Sequence, residues 1–328
     1  MSDNFWRGQK VLVAGGTGLI GIQLSKFLVE KGARLRIASL DEAARSHPEA
    51  EFMRLDLTSL DNCRLACRGQ EFVFNLLGVK ASPAVAAARP ASHSYPTIMM
   101  EHALLEAARL EEAGGFLMTS SIAVYAQAEV FHEDSVWSTM PSPNDWFAGW
   151  AKRAGELQIE AYRIEYGWKN LSIVRPANVY GPWDNFDSEN AMVVPSLIKR
   201  ALSGRPELVA WGDGRTVRDF IHARDVARGM MMVAENGCEQ PVNLGSGRGY
   251  CIKELVDGIV ANVAPPPTVT WDKSKPGGDH KRVMDVSRAA ALGFKPFISL
   301  EDGLKEVMDW YQSHRAASGD RYDIFDSK

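Results

Sequence analysis

The 328-residue chain predicts an α/β fold: a doubly wound parallel sheet followed by a smaller C-terminal α/β lobe. Three observations carry this. An apolar run breaks into a glycine turn at residues 10–21, apolar runs then alternate with helical patterns, and beyond residue 177 the sequence turns irregular and turn-rich. In Lys-Val-Leu-Val-Ala-Gly-Gly-Thr-Gly-Leu-Ile-Gly, Val11 to Ala14 reads as a buried strand. Gly15 permits a sharp turn, Gly18 lets backbone N–H groups approach a pyrophosphate, and Gly21 lets helix and strand pack closely. The helix behind it opens with unpaired donors and a partial positive charge. Many strand-to-helix turns need such glycines for geometry alone, but a place at the head of an alternating pattern favours dinucleotide binding on a Rossmann-type sheet.

The elements follow in order. Ile20 to Glu30 is helical with Gly32 as its stop, and Leu35 to Ser39 is the second strand. A carboxylate at that strand's end would accept from both ribose hydroxyls and repel a 2′-phosphate. Ser39 stands there, with Asp41 two residues on and Arg36 and Arg45 nearby, so the expected cofactor is NADP or NAD, tilted slightly toward NADP. Glu51 to Leu57 is a third strand, whose Asp56-Leu57 end can reach an adenine amino group. Phe72 to Leu77, apolar almost throughout as a strand covered on both faces should be, leads into Gly78-Val79-Lys80, where small backbone suits passage of the cofactor. Ile98 to Arg109 is an amphipathic helix, and Phe116 to Ser120 and Leu171 to Pro176 are further strands. Beyond them come turns at 181–190, a helix Val194 to Leu202, a strand Leu208 to Trp211 and helices at 223–235, 252–261 and 301–313. The expected division is 1–177 mainly for the dinucleotide, 178–315 mainly for a second ligand with some elements returning to the first domain, and 316–328 as a polar tail. Candidate cofactor contacts are Gly15, Thr17, Gly18, Leu19, Ile20, Gly21, Ser39, Asp41, Asp56, Leu57, Leu77 and Gly78.

With 45% hydrophobic residues and a net charge of -4, the composition is that of an ordinary soluble enzyme. Lysines and arginines are scattered rather than striped, which argues against nucleic acid. The N-terminus lacks a basic-then-apolar pattern and no apolar run approaches about 20 residues, so the expectation is a cytoplasmic protein without membrane contact. Cys63, Cys67, Cys238 and Cys251 have no partners at metal-site spacing, the seven histidines lie apart, and no metal is expected. His222 reads as structural.

Six stretches carry a likeness. They are Gly-Gly-Thr-Gly-Leu-Ile-Gly at 15–21, Ser-Ser-Ile-Ala-Val-Tyr at 120–125, Gly-Trp-Ala-Lys-Arg-Ala-Gly-Glu at 149–156, Arg-Pro-Ala-Asn-Val-Tyr-Gly-Pro at 175–182, Trp-Gly-Asp-Gly-Arg-Thr-Val-Arg-Asp-Phe-Ile-His at 211–222 and Asn-Leu-Gly-Ser-Gly at 243–247. From about residue 8 to about 312 the chain resembles the extended short-chain dehydrogenase/reductases, the NAD-dependent epimerase/dehydratase family of nucleotide-sugar enzymes. Its look is closest to the members that handle GDP-linked sugars, the GDP-fucose synthases and GDP-mannose 3,5-epimerases.

The resemblance implies a hydroxyl, a tyrosine and a lysine at the centre. Ser121 matches the hydroxyl, which bonds the reacting oxygen, and Lys152 matches the lysine, which lowers the tyrosine's pKa and holds the nicotinamide ribose. The tyrosine belongs four residues before the lysine, and that position is Ala148. Trp146 and Phe147 cannot ionise, and Tyr125, Tyr162 and Tyr166 stand at the wrong spacing. Alanine offers neither proton nor charge, so turnover is expected to be lost or strongly impaired. The ordinary Gly-Trp-Ala-Lys flank favours an engineered replacement that traps a sugar nucleotide over a natural loss of the base, and a naturally silent binding protein is the rival reading. Ala123 and Met192 stand where 3,5-epimerases keep a cysteine and a base, and the Thr-Asp-Glu run of 4,6-dehydratases is absent. Epimerisation through a transient ketone and reduction of a 4-keto sugar remain. The likeness adds Lys152, Pro176 and Asn178 as cofactor contacts. For a nucleotide-diphosphate sugar, GDP-linked, the candidates are Lys80, Ser121, Asn178, Val193, Trp211, Arg218 and Arg282. Each arginine has a structural ion pair as its alternative, and Trp211 a packed core. Asp279, Arg282 and Asp285 form either a charge network around the sugar nucleotide or lobe-to-lobe salt bridges. Helices 98–109 and 149–166 carry more apolar surface than one sheet face needs, which in this family builds a homodimer.

Overall fold

The computed structural model describes residues 4–186, 190–275 and 278–314, together with Tyr322 and Phe325. Five strands of the first half, β1 (Lys10–Ala14), β2 (Arg34–Ser39), β3 (Glu51–Arg54), β4 (Phe72–Asn75) and β5 (Gly115–Thr119), share one parallel sheet with Leu171–Pro176 and Val242–Leu244. Across the sheet the order is Val242–Leu244, Leu171–Pro176, β5, β4, β1, β2, β3. The chain runs from β1 outward through β2 to β3, then returns to the other side of β1 for β4. That reversal opens a crevice at the carboxyl ends of β1 and β4, the place where such sheets take ligands.

Five helices belong to this half: α1 (Leu19–Glu30), α2 (Leu60–Cys67), α3 (Pro83–Ala88), α4 (Pro90–Leu110) and α5 (Trp146–Tyr166). Successive strand residues point to opposite faces. Val11, Val13, Phe72 and Phe74 therefore fill one core while Leu12, Ala14 and Val73 fill the other, which is why β1 and β4 are continuously apolar. Four boundaries differ from expectation by two residues or more. The β3 and β4 ladders end at Arg54 and Asn75, so Asp56-Leu57 and Leu76-Leu77 are loops over the carboxyl edge. Helix α5 begins at Trp146, and α4 begins at Pro90 rather than Ile98, with Pro96 inside it.

The later chain contributes to both regions. Helix Ala223–Glu235 packs against α1, beside the large sheet. A second sheet joins Gly249–Cys251, Val217–His222, Lys281–Met284 and Val130–Phe131, with Asn178–Tyr180 also on Val217–His222. Glu207–Trp211 pairs with Thr268–Asp272 in a small parallel sheet. A separate core, including Tyr180, Phe186, Leu197, Leu255 and Tyr311, lies beneath these elements. The expected tail at 316–328 lies outside the described residues apart from Tyr322 and Phe325. Among the described residues no helix is long and apolar enough to cross a membrane, and no group of side chains could hold a metal ion.

Candidate active site

The glycine turn is shaped for close approach. Gly15 has φ +81°, and a Cβ on Gly21 would lie 2.4 Å from the Gly15 carbonyl oxygen and 2.6 Å from Gly16 Cα, so backbone passes over backbone. Gly18 caps α1 without a side-chain hydrogen bond, and Leu19 and Ile20 form the first helical turn. A loop this bare, ending on a helix N-terminus, fits a pyrophosphate. At the ribose end Thr17 Oγ1 lies 2.7 Å from Ser39 Oγ and donates to Asp41 Oδ2 at 2.7 Å. The Tyr322 N–H donates to Asp41 Oδ1 at 2.8 Å, and Arg45 Nε stands 3.9 Å from Asp41. A carboxylate and a guanidinium thus share this end. Asp56 Oδ1 accepts from the Thr58 N–H and hydroxyl at 3.0 and 2.7 Å, and the Leu57 side chain is core, leaving only its backbone for a ligand.

At the carboxyl ends of β4 and β5, Lys152 Nζ donates to the Leu77 carbonyl at 3.0 Å and the Thr119 carbonyl at 2.9 Å. It also pairs with the Glu101 carboxylate of α4. A Cβ on Gly78 would come within 3.2 Å of Nζ. Ser121 follows β5, its Oγ accepting from the Ala123 N–H at 3.1 Å. Ser121 and Lys152 therefore stand at one edge of the sheet, with Ala148 one turn before the lysine on α5. Tyr125 does not substitute for a missing tyrosine. Its hydroxyl donates to Asn243 and accepts from Arg175, and burial pushes its pKa up to about 12. Tyr162 is engaged with Glu106 at 2.6 Å.

The charges of the second lobe mostly tie it to the first. Lys80 Nζ meets Asp184, which is 2% exposed, at 2.5 Å, and Asn190 Nδ2 donates to the Lys80 carbonyl at 3.1 Å. The loop after β4 is thereby tied to the segment after Asn178–Tyr180. Asn178 donates to the Asp219 carbonyl at 2.8 Å, Pro176 closes its buried strand, and Val193 opens helix Val193–Ala201. Arg282 Nη2 reaches Asp145 at the start of α5 at 2.6 Å, and its Nε lies 3.8 Å from Asp279. The Arg218 Nη1 donates to the Asp279 carbonyl at 2.7 Å, and desolvation, then the Arg282 charge, pulls its pKa down to about 10. Of the evenly spaced trio, Asp279 and Arg282 join in bridging this lobe to α5. Asp285 leaves the trio, since it faces His132 at 2.7 Å. Trp211 is 59% exposed, with the Lys275 ammonium 5.7 Å from its ring centre, so the packed-core alternative does not describe it. Cys63 is a core thiol pushed up to about 12 by burial. His222 is structural, its Nδ1 accepting from the Arg224 N–H at the start of Ala223–Glu235.

The NAD dependent epimerase/dehydratase family model matches residues 11–245. The chain belongs to this family. It is 31% identical over 326 residues to GDP-L-fucose synthase 1 of Arabidopsis thaliana, covering 95% of this chain and 94% of that protein. It is 28% identical over 335 residues to dTDP-4-dehydro-6-deoxy-D-allose reductase of a Streptomyces species, covering 96% and all of that protein. Epimerase Mth375 of Methanothermobacter thermautotrophicus superposes with a TM-score of 0.86 at 23% identity over 96% of both chains, and so shares the fold.

In this family member sequence reasoning missed Glu101, the partner of Lys152, although a carboxylate inside the apolar run Ile98 to Leu105 was a signal. It also missed Asp145 and Asp184, which hold Arg282 and Lys80. Neither has a local signature, because each meets its partner only after the two regions have folded together.

Proposed function

We propose that this family member holds NAD or NADP along the glycine turn and acts by hydride transfer on a nucleotide-diphosphate sugar, GDP-linked. The reaction would be epimerisation through a transient ketone or reduction of a 4-keto sugar. The observation that carries this reading is that Ser121 and Lys152 lie along one sheet edge beside the bare glycine loop. When bound, the dinucleotide supplies or accepts the hydride. The chain's own part is to place Ser121 Oγ against the reacting oxygen and the Lys152 ammonium beside the nicotinamide ribose. Ala148 contributes no proton there. Likeness to the Arabidopsis enzyme supports GDP, and the Streptomyces relative makes dTDP the base to test against it.

Calorimetry with NAD, NADPH, GDP-sugars and dTDP-sugars tests the binding half, and affinity for neither dinucleotide overturns the reading. The chemical half is tested by nicotinamide absorbance in single turnovers. Restoring the family's tyrosine, Ala148→Tyr, should raise hydride transfer about 100-fold, since a positioned acid/base typically contributes that much. Continued silence of the Ala148→Tyr protein with every sugar would favour a binding protein instead. The ordinary flank of Ala148 supports a replaced tyrosine, and an alanine codon in the genomic gene overturns that.

Helices α4 and α5 lie side by side and leave Tyr95, Leu157 and Ile164 exposed, Ile164 at 78%. An apolar face of this kind supports a homodimer built across the two helices. Sedimentation should give twice the chain mass and Ile164→Glu should halve it. A wild-type mass of one chain at all concentrations counts against the dimer.

A further inference from the structure

An ammonium has three N–H donors, and in Lys152 all three are engaged. Two go to the backbone carbonyls of Leu77 at 3.0 Å and Thr119 at 2.9 Å, and the third goes to the Glu101 carboxylate. The Lys152 side chain is 13% exposed and that of Glu101 1%, so the lysine reaches from the cleft to a carboxylate lying behind it. Packing keeps Glu101 from following the lysine outward. Its Oε2 has no hydrogen-bond partner and lies against Gly155, where a Cβ would come within 2.7 Å of that oxygen and 2.5 Å of the Met118 methyl. Gly155 and the Met118 thioether thus form the slot that holds the carboxyl.

To hold a ribose hydroxyl, Lys152 must free one of its three donors. A carbonyl left behind at the sheet edge would remain an unpaired acceptor, at a cost of about 1–3 kcal/mol. The carboxylate has another course. It can take a proton, and the charge that burial disfavours then disappears together with the bond. Resting on the dinucleotide reading above, we propose that Glu101 is the positioning residue of Lys152, releasing it to the nicotinamide ribose by taking up one proton from solvent when the dinucleotide binds.

The surroundings of Glu101 suit that exchange. Burial pushes its carboxyl up to about 7, the charge and hydrogen bond of Lys152 pull it down, and the Glu156 charge adds a smaller upward push. Both of these charged neighbours stand on α5, and Glu156 is itself tied to Arg175 and Ser120. Helix α2, also packed on α4, brings the buried thiols Cys63 and Cys67, while its Arg64 is engaged with Glu111 at the far end of α4. Strands β4 and β5 and helix α3 carry no ionisable side chain, and one turn to either side along α4 stand Thr97, Ile98, Leu104 and Leu105. Once Lys152 turns to the ribose, its downward pull weakens and the carboxyl keeps its proton above neutral pH. Binding coupled to proton uptake must weaken as pH rises through that window.

The test is calorimetric titration of the full chain with NADH and with NADPH, in buffers of differing ionisation heat, for the wild type and Glu101→Gln. The wild type should take up most of one proton per dinucleotide at about pH 8, and its affinity should fall about fivefold between about pH 7 and that value. Glu101→Gln, with the same shape and no proton to gain, should take up none and hold its affinity level over the window. A merely structural loss would shift affinity alike at every pH and leave the proton uptake in place. On the wild type alone, which avoids any folding defect, infrared difference spectra should gain one protonated-carboxyl band when dinucleotide binds. Dinucleotide binding without that band, or proton uptake that persists in Glu101→Gln, overturns the proposal and leaves the dinucleotide reading intact. Affinity for neither dinucleotide overturns both.

Discussion

Two buried carboxylates, Glu156 and Glu101, sit behind this sheet edge and are treated in opposite ways. Glu156 of α5 takes both arms of the Arg175 fork, Nε at 2.9 Å and Nη2 at 2.6 Å, and also the Ser120 hydroxyl. The rest of the fork is used too, on the Glu133 carbonyl at 2.8 Å and the Tyr125 hydroxyl at 3.1 Å. Glu101 of α4 has one oxygen on Lys152 and the other without a partner. Burial pushes the Glu101 carboxyl up to about 7, against the pull of the Lys152 ammonium. The closed pair is scaffold, joining α5 to the strand Leu171–Pro176. The open pair lies at the carboxyl ends of β4 and β5, where Lys152 also meets the Leu77 and Thr119 carbonyls. The filled network holds the fold together, and the half-filled one lies where the chemistry is proposed.

Removing one partner should separate the two most sharply. Glu156→Ala leaves the Arg175 guanidinium buried and unpaired, and losses of about 3–5 kcal/mol are typical of that event. Urea denaturation should show this drop with the cofactor-free protein. A loss under about 1 kcal/mol would mean that water reaches Arg175 and that the pair is not the closed scaffold described.

The contrast also marks what could be read before the structure. The glycine turn was legible because its cause is local: positive φ at Gly15 and the 2.4 Å approach at Gly21 admit little else. Alternating strands and helices were legible for the same reason, each buried face writing its own period into the chain. Ser121, Lys152 and Ala148 were placed by likeness, and the structure brings the first two to one edge. The partners were not legible. Glu101 lies 51 residues from Lys152, and Asp184 lies 104 from Lys80, distances over which no periodicity speaks. The first two turns of α4 were not legible, because Pro96 lies inside the helix and a proline ordinarily marks a first turn. Arg218 and Arg282 show the converse, since a guanidinium that suits phosphate suits a carboxylate as well, and only the fold places Asp145 against Arg282.

The gentlest way to sharpen the contrast is Glu101→Gln, which keeps shape and removes charge. Because the folded value of Glu101 lies near 7 and its ordinary value is 4.5, the folded chain keeps the proton that the unfolded chain has released between those pH values. Stability contributed by the neutral carboxyl is therefore fully present below about pH 4.5 and is lost as pH rises through about 7. Wild type and Glu101→Gln should have matching urea midpoints near pH 4.5, where both carry a neutral side chain. They should diverge by about 3 kcal/mol above pH 7, the glutamine protein being the more stable. Titrations common to both proteins cancel in that difference. Parallel profiles across the window would show that Lys152 fully compensates the buried charge, and the two carboxylates would then be alike rather than opposed.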